Sequence, residues 1–577
     1  MPRRIKNLLS MPLEYNSQLM KKDVAAGFTI FIMIVPQGMA YAVLAGLPPV
    51  MGLYASLLPL LIYALFGGSK HLAIGPVAMA SILVFSGVSL YAEPATPDYV
   101  ALVLLLTVMV GVMQVALGLL NAAAFVKFIS PNVISGFTSA VAIAIGMSQL
   151  GQFMGISVGS QTQIIPLLRD VIVHLPQVHI PTLLVGIASL LVLIGGRKIK
   201  RNLPVSLIVV VLSIAAVGLF RLDNQGVSVV GQVPQGLPDF TVPGFNLADV
   251  QVLIPTALTI ALIAMMETLA ITKTLSDKND VGVDLNKEIR AIGYANIAGP
   301  FFSSYAVTGS FSRSAVSYRS GAASQAAMII TAAGVLVTLL FFTSLFYFLP
   351  YAVLAAIILV SVTGLINIRS LKDAFRVKPE DGWVWIVTFA ATLLVGIQWG
   401  LLIGIGFSIL LLLRHIARPN IVEIGYEEDT HSYLDLQRFP HARRVPGTVL
   451  VRADTRIHFS NVGYFVKMVE KTIQDRRKTE GGGLKAAIDM SGVNDIDTTG
   501  IGALEQIIEM YRRDPDVKVW FVELKGPVRD LLLRAGWEEK YAEAIRYQTL
   551  EGFLEHEGNV PFRTPTEPKQ DSWDYMI

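Results

Sequence analysis

The stretches Gly75-Pro76-Val77-Ala78-Met79-Ala80-Ser81 and Thr308-Gly309-Ser310-Phe311-Ser312-Arg313-Ser314 decide how this chain folds. Each interrupts an apolar region with breakers or small polar residues, and each falls in the third of seven apolar segments that make up one half of the N-terminal region. An odd number of crossings per half inserts the second half upside down, so the two third helices run in opposite directions and their N-terminal ends can meet near the bilayer midplane. A helix N-terminus offers unpaired N–H groups and about half a positive charge, and two facing ends form an anion site without a metal. Pro76 suits a first helical turn, and Ser310 or Ser312 can cap a helix or donate to a ligand. Arg313 sharpens this reading. An ionised side chain within a span costs several kcal/mol unless it faces protein, water or a partner, so it is expected to face the site.

The surrounding composition supports a membrane setting. The chain has 577 residues, is 53% hydrophobic and only 15% charged, against roughly 25% charged in a soluble domain. More than half of the charged residues fall after residue 420, so an apolar region is joined to a polar one. The apolar part contains about fourteen segments of a length that crosses a bilayer core of roughly 30 Å, among them Val50 to Phe66, Ile74 to Tyr91, Ile289 to Ser303 and Ser310 to Arg319. The expected organisation is a cytoplasmic N-terminal segment over 1–23, a transmembrane domain over 24–418, a linker over 419–446, a small cytoplasmic domain over 447–560 and a polar tail over 561–577.

Lys and Arg accumulate in cytoplasmic loops. With the N-terminus inside, that side receives Arg3, Arg4, Lys6, Lys21, Lys22, Lys70, Lys127, Arg197, Lys198, Lys200, Arg201, Lys278, Lys287, Arg290, Arg319, Arg369, Lys372, Arg376 and Lys378, whereas the outer side receives little beyond Arg169 and Arg221. Both termini are therefore expected in the cytoplasm of a multi-pass protein in a plasma membrane, the inner membrane of a bacterium. The first apolar run follows a long polar leader without a small-residue cleavage site, so no cleavable signal is expected. Topology accounts for the basic residues, and no nucleic-acid partner is expected. The absence of cysteine excludes disulfides, thiolate metal sites and a cysteine nucleophile. The scattered histidines make no metal-ligand cluster, and no nucleophile or phosphate-cradling motif stands out. The chain is read as a non-enzyme with no metal and no cofactor.

Glu267, in Ala264-Met265-Met266-Glu267-Thr268, is the one carboxylate within the first segment of the second half. A lone buried acid can bind a coupling proton or cation; a fixed ion pair with Arg313 or Lys273 is the alternative.

Pro36-Gln37-Gly38-Met39-Ala40-Tyr41-Ala42, Leu44-Ala45-Gly46-Leu47-Pro48-Pro49 and Gly52-Leu53-Tyr54 resemble the signature of the SulP family of sulfate permeases and anion exchangers. Gly67 to Ser81, Ser310 to Ser314, and Asp284, Asn286, Glu288, Gly293 and Asn296 also look like family motifs. The resemblance implies an all-α membrane domain of two inverted seven-segment repeats, divided into a core and a gate that work as an elevator. It implies an anion bound among Gln37, Tyr41, Val77, Ala78, Ser310, Phe311, Ser312 and Arg313, with Glu267 beside the site, and it does not imply sodium dependence.

After Gly447, strands at Thr448 to Arg452, Lys485 to Met490 and Val517 to Glu523 alternate with helices at Asn461 to Gln474, Thr499 to Tyr511 and Val528 to Ala535. Asp489-Met490-Ser491-Gly492-Val493-Asn494-Asp495-Ile496-Asp497-Thr498-Thr499-Gly500 resembles the STAS domain. Thr498 takes the place of a phosphorylated serine there, although an Asp-Thr-Thr start also serves a helix cap. The resemblance suggests support of a homodimer and tuning of transport. The expected function is secondary active transport of a small inorganic anion, sulfate first, with proton symport as the coupling considered. A dicarboxylate such as fumarate, bicarbonate or chloride is the rival substrate, sodium the rival coupling ion, and a membrane tether for a signalling domain the rival of a different class.

Overall fold

The computed structural model describes residues 16–122, 129–158, 164–199, 204–275 and 283–557. Residues 1–15 of the N-terminal segment, the tail over 561–577, and Lys127, Lys200, Arg201 and Lys278 lie outside the described residues. The chain divides into two units, Met1–Ile409 and Leu410–Ile577.

The first unit is helical. Its first half contains α1 (Ser17–Leu44), α2 (Pro49–Tyr54), α3 (Leu58–Phe66), β1 (Ile74–Gly75), α4 (Ala78–Val88), α5 (Pro97–Leu119), α6 (Pro131–Ser148), α7 (Ile164–His174), α8 (Ile180–Ile199) and α9 (Val205–Phe220). The second half contains α10 (Leu247–Leu275), α11 (Leu285–Ala298), β2 (Thr308–Gly309), α12 (Phe311–Arg319), α13 (Ala326–Val337), α14 (Tyr351–Val362), α15 (Ile368–Val377), α16 (Pro379–Leu394) and α17 (Ile397–Ala417). The order repeats between the halves: a long helix, shorter helical structure, a two-residue strand leading into a short helix, then further helices. Helix starts follow local chemistry. Asn16 accepts from the N–H groups of Gln18 and Leu19 at 3.0 Å, and Pro97 and Pro131 stand at first-turn positions behind the caps Thr96 and Ser130, where a missing N–H is harmless.

Among the described residues, eight helices are long and apolar enough to cross a membrane, or nine if the pair α7–α8, bent by 116°, is one span. The sequence-based expectation of about fourteen counted shorter elements as full spans. Ile74 to Tyr91, for example, is a strand followed by an 11-residue helix, and Val205 to Phe220 is a 16-residue helix.

Packing repeats as well. α1 lies against α13 as α10 lies against α5; α3 against α13 as α11 against α5; α1 against α12 as α10 against α4; and α6 against α16 as α8 against α14. These matched pairs are what an inverted repeat requires. The core and gate that the resemblance implies would comprise α1–α5 with α10–α13 and α6–α9 with α14–α16 respectively. Within the core, Gly38 and Gly52 let α1 and α2 touch: a Cβ on Gly52 would lie 1.9 Å from the Gly38 carbonyl oxygen.

The second unit is an α/β domain with β3 (Ile421–Glu427), β4 (Ser432–Asp435), β5 (Thr448–Ala453), α18 (Val462–Glu480), β6 (Leu484–Asp489), α19 (Thr498–Arg512), β7 (Val517–Val522), α20 (Gly526–Arg534) and α21 (Leu550–Glu557). The sheet order is β4-β3-β5-β6-β7, with β5, β6 and β7 parallel and β3 antiparallel to both its neighbours. Phe465, Leu504, Phe521 and Trp537 fill one face, and Trp520, Phe553 and Leu554 the other. The expected strands and helices are present with shifted ends. The stretch 419–446, read from sequence as a linker, instead supplies β3 and β4. Buried Arg476 of α18 pins it in place: its Nε lies 3.3 Å from Glu423, and its Nη2 donates to the Val445 carbonyl at 3.1 Å.

Candidate functional site

β1 and β2 form an antiparallel pair, with Ile74 opposite Gly309 and Gly75 opposite Thr308. Neighbouring strands in such a pair lie about 5 Å apart, and α4 and α12 leave it in opposite directions. The two helix starts are thus joined at their origin. The Ser310 N–H donates to the Ala73 carbonyl at 2.9 Å, and the Ala73 N–H donates to Ser314 Oγ at 2.9 Å.

Side chains behind the pair hold it. Glu288 of α11 is fully buried and accepts from Tyr63 Oη at 2.5 Å, Gly68 N–H at 2.6 Å and Ser69 N–H at 2.9 Å, fixing the turn that leads into β1. Asn296 performs the same task before β2. Its amide donates to the Val307 carbonyl at 2.9 Å and accepts from the Val307 N–H at 2.8 Å, while Gln114 takes its second N–H at 2.9 Å. Asp23 of α1 accepts from Ala323 and Ser324, binding the turn after α12. The sequence marked Glu288 and Asn296 as family positions without showing what they hold.

Arg313 lies in the first turn of α12 and is fully buried. Its Nε, Nη1 and Nη2 have no hydrogen-bond partner among the described residues. A guanidinium carries five N–H donors and no acceptor, so the protein leaves their pairing to water or a ligand. Gly75 makes room for it. A Cβ there would lie 3.1 Å from Arg313 Nη2 and 3.0 Å from Ile34 Cδ1, and the backbone φ of +141° is one that side-chain-bearing residues rarely adopt. Glu267, Tyr41 and Tyr305 are near enough to act on Arg313 electrostatically. Glu267 makes no ion pair with it: Glu267 Oε2 is buried without a hydrogen-bond partner among the described residues. The Lys273 side chain, its alternative partner, is outside the described residues.

The other expected residues lie on α1 and at the starts of α4 and α12, both of which pack on α1. Val77 precedes α4 in extended conformation and, with Ala78, is buried; α4 has no side-chain cap, so its leading N–H groups remain for a ligand. Ser310 caps α12, accepting from the Arg313 N–H at 3.5 Å, and its hydroxyl lies 3.3 Å from that of Ser312. Ser312 is exposed and Phe311 is 53% exposed, so both border open space. Gln37 and Tyr41 are one turn apart on α1 and buried, and Gln37 Oε1 has no partner among the described residues. Sequence reasoning missed three further groups: Tyr305, whose hydroxyl lies 3.2 Å from Ser81 Oγ, and the buried hydroxyls of Thr268 and Ser317, unpartnered among the described residues. Hydroxyls spaced along apolar helices carry no motif.

Among the described residues no group of three or more His, Cys, Asp and Glu could hold a metal ion. In the α/β domain, Thr498 opens α19 and is exposed, while Asp497 caps the helix by accepting from the Gly500 N–H at 2.7 Å. Burial raises the Asp497 carboxyl, but N–H donation from Gly500 and Phe459 outweighs it and holds the group below its ordinary range.

The model of the sulfate permease family matches residues 20–388, and that of the STAS domain matches residues 439–550. The chain is 36% identical over 512 residues to sulfate transporter 4.1, chloroplastic, of Arabidopsis thaliana, covering 86% of this chain and 74% of that protein. A solved structure of the murine solute carrier 26 family member A9 anion transporter, in the inward-facing state, superposes with a TM-score of 0.84 at 25% identity, covering 96% of this chain and 95% of that one. The transmembrane domain of a cyanobacterial bicarbonate transporter shares the fold at a TM-score of 0.59 and 22% identity, covering 68% of this chain and 98% of that one.

Proposed function

Since the chain belongs to the sulfate permease family, a family of transporters rather than enzymes, we propose that it is a secondary active transporter whose anion is sulfate, coupled to a proton. The observation that carries this reading is Arg313: a buried guanidinium without an acceptor among the described residues, set where two oppositely directed helices begin. Sulfate would take N–H groups from the start of α4, the hydroxyls of Ser310 and Ser312, the amide of Gln37 and the charge of Arg313. Tyr41, Val77, Ala78 and Phe311 would bound the volume. Such a site uses charge-assisted hydrogen bonds in a low-dielectric setting, the strongest kind available without a metal. Glu267 would carry the coupling proton, and its lack of an ion-pair partner among the described residues supports that role over a structural one.

The core, holding both helix starts, would slide against the gate and carry the anion between the two sides of the membrane. Both termini would be cytoplasmic, following the loop charges. The α/β domain would support a homodimer and tune transport, with Thr498 as a regulatory position. Because β3 and β4 belong to its sheet, a truncation testing this must remove everything after residue 418. Unchanged dimerisation and uptake would then exclude both roles. The membrane would be a plasma membrane; the plant relatives give no support to the finer expectation of a bacterial inner membrane.

One arginine and two helix ends select negative charge but not shape, which keeps fumarate-like dicarboxylates, bicarbonate and chloride as a second reading. The deciding experiment is uptake of radiolabelled sulfate into liposomes under an inward proton gradient, with fumarate, bicarbonate and chloride as competitors. Proton-driven sulfate uptake that Arg313→Ala abolishes supports the proposal. Gradient-independent uptake rejects proton coupling, competition without sulfate uptake moves the substrate to the rival anion, and unchanged uptake by Arg313→Ala rejects the site.

A further inference from the structure

A second cavity, of about 430 Å³, lies on the seam between core and gate, apart from Arg313. Its core wall includes Pro48, Pro49 and Phe85, and its gate wall includes Gln149, Gln152 and Tyr351. Along α4 it begins at Ile82, one helical turn beyond Ala78. The volume falls within the range of small-molecule sites, roughly 300–1,000 Å³.

Two features specify the chemistry of an occupant. Among the described residues no charged side chain lines the cavity, so they offer an anion nothing comparable to Arg313. Gln149 and Gln152 each hold a buried amide carbonyl oxygen that accepts no hydrogen bond among the described residues, and Gln149 is only 4% exposed. Buried acceptors without donors are destabilising, and a ligand bearing an O–H or N–H group would satisfy them. The core wall is built firmly. Tyr99 Oη donates to the Ala45 carbonyl at 2.6 Å, and Gly46, at φ +73°, leaves no room for a Cβ beside that hydroxyl.

We propose that this cavity binds a neutral, largely apolar small molecule carrying a hydrogen-bond donor, and that its occupancy holds the core against the gate. The second clause rests on the transport reading. A ligand that touches both sliding bodies binds one of their relative positions, and so slows the cycle without competing for the anion site.

The absence of cysteine from the chain makes the test direct. Ser157, exposed at the rim, becomes the single thiol in Ser157→Cys, and its alkylation by N-ethylmaleimide is followed with 4-hydroxybiphenyl present. At four times its Kd the compound should slow alkylation about fivefold by mass action. Biphenyl-4-carboxylate should not protect, and adding Gln149→Leu and Gln152→Leu should remove the protection. No protection, equal protection by the carboxylate, or protection that survives the leucines overturns the site. In liposomes, 4-hydroxybiphenyl should lower the maximal rate of sulfate uptake at unchanged KM; protection with unaltered uptake overturns the holding role. If the chain takes up no anion at all, the transport reading fails, while the alkylation result still decides the cavity.

Discussion

Arg313→Met replaces a buried charge by an unbranched apolar side chain of similar length, and the expected result has two parts of opposite sign. Without sulfate the variant should be at least as stable as the original chain, because the described residues supply no acceptor to the guanidinium, and replacing buried charges by packed apolar groups is neutral or stabilising by about 1–4 kcal/mol. With sulfate the order reverses. A ligand at one hundred times its Kd stabilises by about 2.7 kcal/mol, and a chain of this size unfolds with an entropy on the order of 1 kcal/mol/K. The original chain should therefore melt about 2 °C higher with sulfate, and Arg313→Met should not respond. The assay is thermal unfolding of the purified, detergent-solubilised chain across a sulfate series at constant ionic strength. A variant that melts far below the original chain without sulfate would show that Arg313 is a structural cation. One that keeps the full sulfate response would show that the anion binds elsewhere.

Gly75→Ala should reduce uptake at unchanged expression, because its Cβ meets Arg313 Nη2 in a backbone conformation whose strain is about 1–3 kcal/mol; sulfate titration by thermal shift would report the weakened affinity. Glu267→Gln should flatten the dependence of uptake on external pH while leaving the melting temperature nearly unchanged. Glu288→Ala should do the reverse, since it strips three donors of their acceptor at about 1–3 kcal/mol each, and its melting temperature should fall before its pH profile changes. In the α/β domain the Asp497 carboxyl is held below its ordinary range. Its stabilising contribution is therefore complete above the ordinary carboxylate pKa and lost as pH falls through the lower, folded value. Hydrogen exchange at the Gly500 amide of the full chain should accelerate relative to the rest of α19 over that acidic window, and Asp497→Ala should remove the effect together with about 1 kcal/mol of capping energy.

The two helix starts were legible because Gly75-Pro76 and Ser310 through Ser314 are costly or unusual inside apolar segments, and physics restricts where such residues are tolerated. Their pairing was not legible. Two-residue strands carry no periodicity, and Ile74 and Gly309 are brought together by helices whose contacts no local pattern encodes. Glu288 and Asn296 stood out as family positions, yet a buried carboxylate binding a distant turn leaves no trace in sequence spacing. α7 is not among the apolar segments because Arg169 and Asp170 interrupt its apolar run. β3 was overlooked for a related reason: Ile421, Val422 and Ile424 were apolar, but the dense charges around them suggested a linker.

The β1–β2 pair has an electrical consequence. It binds both helix starts and Arg313 into one piece, so a core that moves through the membrane field moves its fixed charge with it. Each elementary charge crossing the full field is worth about 2.3 kcal/mol per 100 mV. The loaded and empty movements differ by two charges for bare sulfate and by one if a proton travels on Glu267. The voltage dependence of exchange compared with that of net uptake would therefore count the protons accompanying each anion.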